Sequence, residues 1–432
     1  MRRMLTALAL LSLVASGCSI GPAGGDDTTI DDTTIDDTTI QVGAVYPLSG
    51  SQGQGGIDEH RGALLAAQLV NADGGIDGRT IELVSTDVSA AEAAPGAIAE
   101  LSAGGIDVVL GSYGSTISAP ASETAAAHDM LFWETGAVGM LSARSEQGVR
   151  TFRMPPTGAV LGSNAIAFVD GPLAESFGRD PSDLRYAVSF VDDVYGRSVA
   201  SGALQAAADR DLEVVGRFGY DFRTVDYYAL ARRIDRSGAD VLFVSAYLVD
   251  AVELRRALVR NDVDLLASIG TSSSYCMPEF GAALGEDAVG LFASDKPSGD
   301  AIDPSTLRPE GAELLARARA AYDERWGDEM SPAALAGFSA AWALFAEVMH
   351  VAAEQGGLSP DAIAAAALEA DLPMGSLPNG SGLRFGQPGT ATAGDNVAAA
   401  AVIWEWMVPG EHMVVWPPQL ATDPVRPMDI AP

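Results

Sequence analysis

Short β-branched runs alternate with longer alanine-rich segments from Gln41 onward, and after a break the alternation starts again. "VGAVY", "TIELVSTD" and "IDVVLGS" are short runs rich in β-branched and apolar residues, each followed by a segment of helical pattern. Strands of that kind between helices require a parallel sheet covered on both faces. The spacing predicts strands over Val42–Pro47, Thr80–Asp87, Asp107–Leu110 and Leu131–Trp133. Helices are predicted over Ile57–Asp73, Ala91–Ala103 and Thr116–His128. A second set of strands begins at Tyr186, Glu213, Asp240 and Leu265, each with a helix after it. Between the sets lies "FRMPPTG", Phe152 to Gly158, whose adjacent prolines stop helix and ladder alike and mark a crossing between lobes. Later come helices over Pro309–Trp326 and Pro332–Glu354, then a short β ending at "VIWEWM" and "HMVVWP".

The fold class is therefore α/β, with two Rossmann-like lobes of helix-flanked parallel sheet joined by a multi-strand hinge. Such lobes bring the carboxyl ends of two sheets face to face, where open sheets bind ligands. The expected divisions are 41–153 and 294–372 for lobe I, 154–293 for lobe II, 373–418 for the return to lobe II and the hinge, and 419–432 for a tail.

Ahead of the lobes, Arg2 and Arg3 precede an apolar segment, Leu5 to Ala15, that runs into Ser16, Gly17 and Cys18. That is a secretory signal pattern, and its apolar run is about half the ~20 residues a spanning helix needs. "VASGC" resembles a bacterial lipobox. The resemblance implies a diacylglycerol on the Cys18 thiol, a signal segment over 1–18 and an extracytoplasmic protein anchored to the cell membrane by its lipid. "DDTTI" then occurs three times from Asp26 to Ile40, with six aspartates in fifteen residues. Residues 19–40 read as an acidic disordered tether, or as a duplicated stretch with no role beyond length.

A net charge of −32, from 26 basic and 58 acidic residues, argues against nucleic acid or an anionic surface as partner. The acidity has a second source in a high-GC or salt-adapted origin. Lys296 is the only lysine, and Asp295 stands where a phosphate loop needs glycine. After processing, with the Cys18 thiol taken up by lipid, Cys276 stands alone, so no intrachain disulfide is possible. His60, His128, His350 and His412 lack metal spacing and no G-x-S-x-G elbow occurs, so neither an enzyme nor a cofactor is expected. His60 reads as a satisfied or exposed helix residue.

The stretch Val42 to Asp87, with "N-x-x-GGI-x-GR" at Asn71–Arg79, resembles the opening of the branched-chain amino acid (Leu/Ile/Val) binding proteins of ABC importers, the type I periplasmic binding fold. The likeness continues through "VVLGSYGSTISAPA", "VDDVYGRSVA", "GADVLFVSAYLVDA" and Glu310–Leu344. Each stretch also has a local reason. Gly74 and Gly75 supply the positive φ that closes a helix, and "DGR" turns into the next strand. The glycines of "SGSQGQGG" let amides at a helix start face an anion, although G-x-G-x-x-G is not met.

The resemblance implies that Ser115 binds a ligand carboxylate; on local grounds Ser115 is a helix N-cap. It also carries Thr135, Gly136 and Ala137 over as a ligand-gripping segment, Tyr195 as the residue that closes over ligand, and Tyr247 as a lining aromatic. Either tyrosine has ordinary packing as its other reading. Tyr113, Glu134 and Ser272 complete the candidate set, and Asp192 and Asp193 read as helix caps. Glu134 is either a buried acid facing a cation or turned outward into water. Two departures bear on specificity. Gly55 stands where leucine binders of the family carry an aromatic, and "TSSSY" replaces the carboxylate that pairs a ligand ammonium, unless Glu134 or Asp250 takes its place. An amino acid, an amide or a short carboxylate is the expected ligand, and ABC permease and ATPase subunits are the implied partners. The alternative is a ligand-sensing module of a regulatory system.

Overall fold

The computed structural model describes residues 38–426 except 140, 142–143, 146–147 and 298–301. The signal pattern, Cys18 and the repeat up to Asp37 lie outside the described residues. Lobe I begins with β1 (Thr39–Tyr46), α1 (Gly53–Ala72), β2 (Thr80–Asp87), α2 (Ala94–Ala103), β3 (Val108–Gly111), α3 (Ser115–Ala127), β4 (Leu131–Glu134) and β5 (Thr151–Arg153). Its sheet has the order β2-β1-β3-β4-β5 and every pairing is parallel. The tether expected to end at residue 40 ends earlier, because Thr39 and Ile40 pair with Thr80 and Ile81. The last β-branched pair of the repeat finds a ladder there.

Lobe II contains α4 (Gly158–Phe168), β6 (Arg185–Val191), α5 (Val194–Ala208), β7 (Glu213–Tyr220), α6 (Tyr227–Ser237), β8 (Val241–Ser245), α7 (Leu248–Arg260), β9 (Ala267–Thr271), α8 (Pro278–Leu284) and β10 (Phe292–Asp295). The chain then returns to lobe I for α9 (Pro309–Trp326), α10 (Pro332–Trp342, helical onward to Gln355) and α11 (Pro360–Glu369). It ends in lobe II with the antiparallel pair β11 (Val402–Val408) and β12 (Glu411–Trp416). The second sheet runs β12-β11-β10-β9-β8-β6-β7, parallel except at β11 and β12.

The division expected at residue 372 moves. Leu377, Leu383, Phe385 and Ala393 belong to the lobe I core, where the Phe385 ring meets Trp133 at 5.3 Å and Phe152 at 5.0 Å. Burying an aromatic of that size outweighs the sequence proximity of these residues to β11. The apolar run Pro332–Gln355 is long enough to cross a membrane, yet 72% of its apolar window is buried inside the protein, which makes it a core helix. It crosses α1 at two glycines. A Cβ on Gly62 would stand 2.0 Å from the Ala334 carbonyl oxygen, and one on Gly337 would stand 2.1 Å from that of Glu59.

The Asn71–Arg79 turn is structural. The Asn71 amide donates to the Ile81 carbonyl at 2.9 Å and accepts its N–H at 2.7 Å, while Gly75, Asp77 and Gly78 take positive φ. At the crossings between lobes, Arg153 Nε pairs with Asp395 at 3.0 Å and its Nη1 donates to the carbonyls of Val138 and Gly139. Asn396 donates to the Gly382 carbonyl at 3.0 Å and to that of Met154 at 3.4 Å. One guanidinium and one amide thus tie the first crossing to the third.

Candidate functional site

The lobes touch at the carboxyl ends of their sheets: Lys296 after β10 meets Glu59, Tyr113 after β3 meets Ser273 after β9, and Gly139 after β4 lies against Val194 after β6. At the centre Lys296 Nζ lies 3.3 Å from Glu59 Oε1. Lys296 leaves the end of β10 and Glu59 stands on α1, so the pair spans the cleft. Thr135 donates from Oγ1 to Glu59 Oε2 at 3.0 Å and shares a hydrogen bond with the Tyr46 hydroxyl at 3.2 Å. Glu59 is fully buried.

Burial lifts its carboxyl to about 7, with Glu134 adding to the rise and Lys296 and Thr135 opposing it. Burial works against the Lys296 charge, but Glu59 and Asp295 outweigh it and hold the ammonium above its ordinary range. Asp295, also buried, is raised by desolvation against the pull of Lys296, with the Cys276 thiol and Ser272 hydroxyl beside it.

The Thr135–Ala137 segment is already engaged. Glu134 Oε1 accepts the Gly136 N–H at 2.8 Å and the Ala137 N–H at 2.6 Å. Glu134 has no exposed surface, so the reading that turned it into water is corrected: its own loop amides fold it inward. Desolvation raises its proton affinity, partly offset by nearby Ser118, the two amides and Arg153.

Ser115 is the first helical residue of α3 and Gly114 is the cap, a correction of one position. The Ser115 hydroxyl accepts the Gly139 N–H at 2.9 Å, which leaves its own proton free to donate. Tyr113 answers the missing aromatic at Gly55: a Cβ there would stand 2.3 Å from Tyr113 Cζ. The ring therefore comes from the loop after β3 and lies over a glycine in the first turn of α1. Its hydroxyl bonds Ser273 of lobe II.

On lobe II the Tyr195 hydroxyl bonds Thr271 Oγ1 at 2.8 Å and donates to the Ser272 carbonyl. Tyr247 donates to Asp193 Oδ2 at 2.6 Å, and the two rings lie 5.4 Å apart. Asp193 caps α5 by accepting the Gly196 N–H, and Asp192 pairs instead with Arg197 at 2.6 Å. Asp250 does not replace the lost carboxylate, since it accepts from Tyr220 on the outer strand β7 at 2.5 Å. His60 is satisfied by Ser85 at 2.7 Å. Among the described residues no group of three His, Cys, Asp or Glu side chains could hold a metal ion.

Sequence reasoning missed Glu59 and gave Lys296 no place in the cleft. A signal for Glu59 existed: Gly56, Glu59, Gly62, Ala63 and Ala66 follow one another at helical spacing, and all are buried. A carboxylate in a row of small residues lies where a partner helix approaches.

A family model described as "Periplasmic binding protein" matches residues 39–399. The Leu/Ile/Val-binding protein homolog 8 of Brucella abortus is 29% identical over 390 residues, covering 89% of this chain and 92% of the relative. Among solved structures, the branched-chain amino acid transporter substrate binding protein of Streptococcus pneumoniae, in complex with isoleucine, is 20% identical with a TM-score of 0.66. It covers 88% of this chain and 100% of its own. A putative branched-chain amino acid ABC transporter protein from Silicibacter pomeroyi is 16% identical with a TM-score of 0.74, covering 91% and 100%.

Proposed function

Because the chain belongs to the periplasmic binding protein family, we propose that it is the extracytoplasmic solute-binding protein of an ABC importer. It captures a small polar organic ligand, an amino acid or an amide-like molecule, between its lobes and delivers it to a permease driven by ATPase subunits. The observation that carries this reading is the Lys296–Glu59 bond across the cleft, flanked by Tyr113 and Thr135 on one lobe and Ser272 and Asp295 on the other. Opening at the crossings separates that pair and admits ligand, and closure around the ligand restores it. A ligand biases closure only by its differential affinity for the closed form, and a micromolar dissociation constant supplies about −8 kcal/mol.

Ser115 contributes its free hydroxyl proton to a ligand acceptor, and the faces of Tyr195 and Tyr247 line the lobe II side. A thermal-shift screen against amino acids, amides and short organic acids tests the reading, since a ligand of the folded form raises its midpoint by mass action. Ser115→Ala is expected to weaken the best ligand at least ~tenfold in calorimetry, the loss of a buried hydrogen bond of about 1.4 kcal/mol; wild-type affinity would remove Ser115 from the site. Lipid anchoring through Cys18 belongs to the same proposal. Cys18→Ala is expected to release the protein from the membrane fraction, and a variant that stays membrane-bound would refute the anchor.

A further inference from the structure

The solute-binding reading leaves open what kind of head group the cleft accepts, and four buried charges bear on it. Glu134 holds the two loop amides, Gly136 N–H and Ala137 N–H, with one oxygen. Its other oxygen, Oε2, is buried and accepts no hydrogen bond of good geometry from the chain, with the Ser118 hydroxyl beside the carboxylate. On lobe II Asp295 Oδ1 is likewise buried and accepts no hydrogen bond of good geometry, with the Cys276 thiol and Ser272 hydroxyl beside the carboxylate. Glu59 stands between them electrostatically, affected by both Glu134 and Lys296, and Lys296 in turn is affected by Asp295. Two carboxylates, Glu59 and Asp295, thus face the Lys296 ammonium, while the cation beside Glu134 is Arg153, and an ionised carboxylate oxygen only accepts.

Two backbone N–H groups in a loop make a ready site for an anion. Here that site is occupied by the chain itself. A ligand carboxylate brought to this loop would find no free amide at Gly136 or Ala137, and would meet Glu134 Oε2 as a like charge. A group bearing N–H hydrogens satisfies the orphan oxygens, and burial makes leaving them unsatisfied costly. Lys296 Nζ supplies a donor for the carbonyl of the same group.

We propose that Glu134 fills the anion cradle of lobe I with the chain's own carboxylate, so that the cleft selects a carboxamide or urea head group over a carboxylate. This rests on the solute-binding reading and sharpens it: Glu134 is a specificity-determining residue that sets which face of the ligand can enter lobe I.

The test is calorimetric titration at pH 8 of matched pairs, butyramide against butyrate and leucinamide against leucine, with urea alongside, on the full chain. Wild type is expected to bind the amide of each pair at least ~tenfold tighter than its acid. Glu134→Gln keeps the side-chain shape and the oxygen that holds the two amides, but turns the free acceptor into an N–H donor. It is expected to reverse the order within each pair. Tighter binding of leucine or butyrate than of their amides by wild type overturns the inference and leaves the solute-binding reading standing. Binding of none of the amides, acids or amino acids overturns both. A Glu134→Gln protein with a native circular dichroism spectrum and the wild-type order of preference also overturns the inference, whereas the wild-type comparison decides it should that variant not fold.

Discussion

Lys296→Met is expected to lower the unfolding free energy by about 3–5 kcal/mol at pH 8, because it leaves Glu59 as an uncompensated charge in the interior. Glu59 has no exposed surface, and its remaining partner is the hydroxyl of Thr135 at 3.0 Å. One neutral hydrogen bond does not offset the desolvation of a carboxylate. Adding Glu59→Gln to the Lys296 variant removes the stranded charge and keeps an acceptor for Thr135, so most of the loss is expected to return. Urea denaturation followed by tryptophan fluorescence measures both. A single-variant loss under about 1 kcal/mol, the worth of a surface pair, would show that Glu59 and Lys296 do not meet in the interior.

The pH dependence follows from the same carboxyl. Glu59 is raised from 4.5 to about 7 in the folded protein, so the folded state binds its proton more tightly than the unfolded chain does. Its contribution to stability is fully present below about 4.5 and is lost as pH rises through about 7. Glu405, raised to about 7, and Asp250, raised to about 6, act in the same direction. The carboxylates held low, Asp73 and Asp240 among them, lose their contribution only below 3.8. Stability is therefore expected to increase as pH falls from 8 to about 5.5, and the Lys296→Met deficit is expected to shrink over the same range. A deficit that stays constant across it would assign the loss to something other than the Glu59 charge.

Most of the strand and helix order was legible because β-branched runs alternate with alanine-rich helical segments along the chain. Thr80–Asp87 and Pro309–Trp326 fall where the pattern puts them, and the "NADGGIDGR" turn closes with the glycine conformations its residues imply. Boundaries slipped where pairing partners decide them, as at Thr39 and at Phe385. The site was less legible. Glu59 sits in "DEHR", four polar residues in a row, which reads as a solvated helix face until the close approach of α10 is known. Glu134 follows an apolar strand, and nothing local reveals that its carboxylate turns back onto the amides two and three residues ahead. Tyr113 compensates for Gly55 from 58 positions along the chain, a substitution of position that is visible only in three dimensions.

The glycine at 337 supplies the second large effect. Gly337→Ala improves intrinsic helix propensity by about 1 kcal/mol, yet its new Cβ would lie 2.1 Å from the carbonyl oxygen of Glu59. No side-chain rotation relieves a clash with backbone, so α1 and α10 must separate, and overpacking of this kind costs up to about 3 kcal/mol or more. The steric cost exceeds the propensity gain, and a net loss of about 2 kcal/mol is expected in urea denaturation. The displaced residue is Glu59 itself, so its contacts with Thr135 and Lys296 loosen and ligand affinity falls with stability. Gly96→Ala separates the two effects: it lies inside α2 with nothing within 4 Å of its Cβ position, and there only the propensity gain remains, about 0.5–1 kcal/mol. Opposite signs at the two glycines tie the position of the buried carboxylate to a helix crossing that only glycine permits. A Gly337→Ala protein as stable as Gly96→Ala would mean that the two helices do not touch at that point, and that something other than their crossing places Glu59 in the cleft.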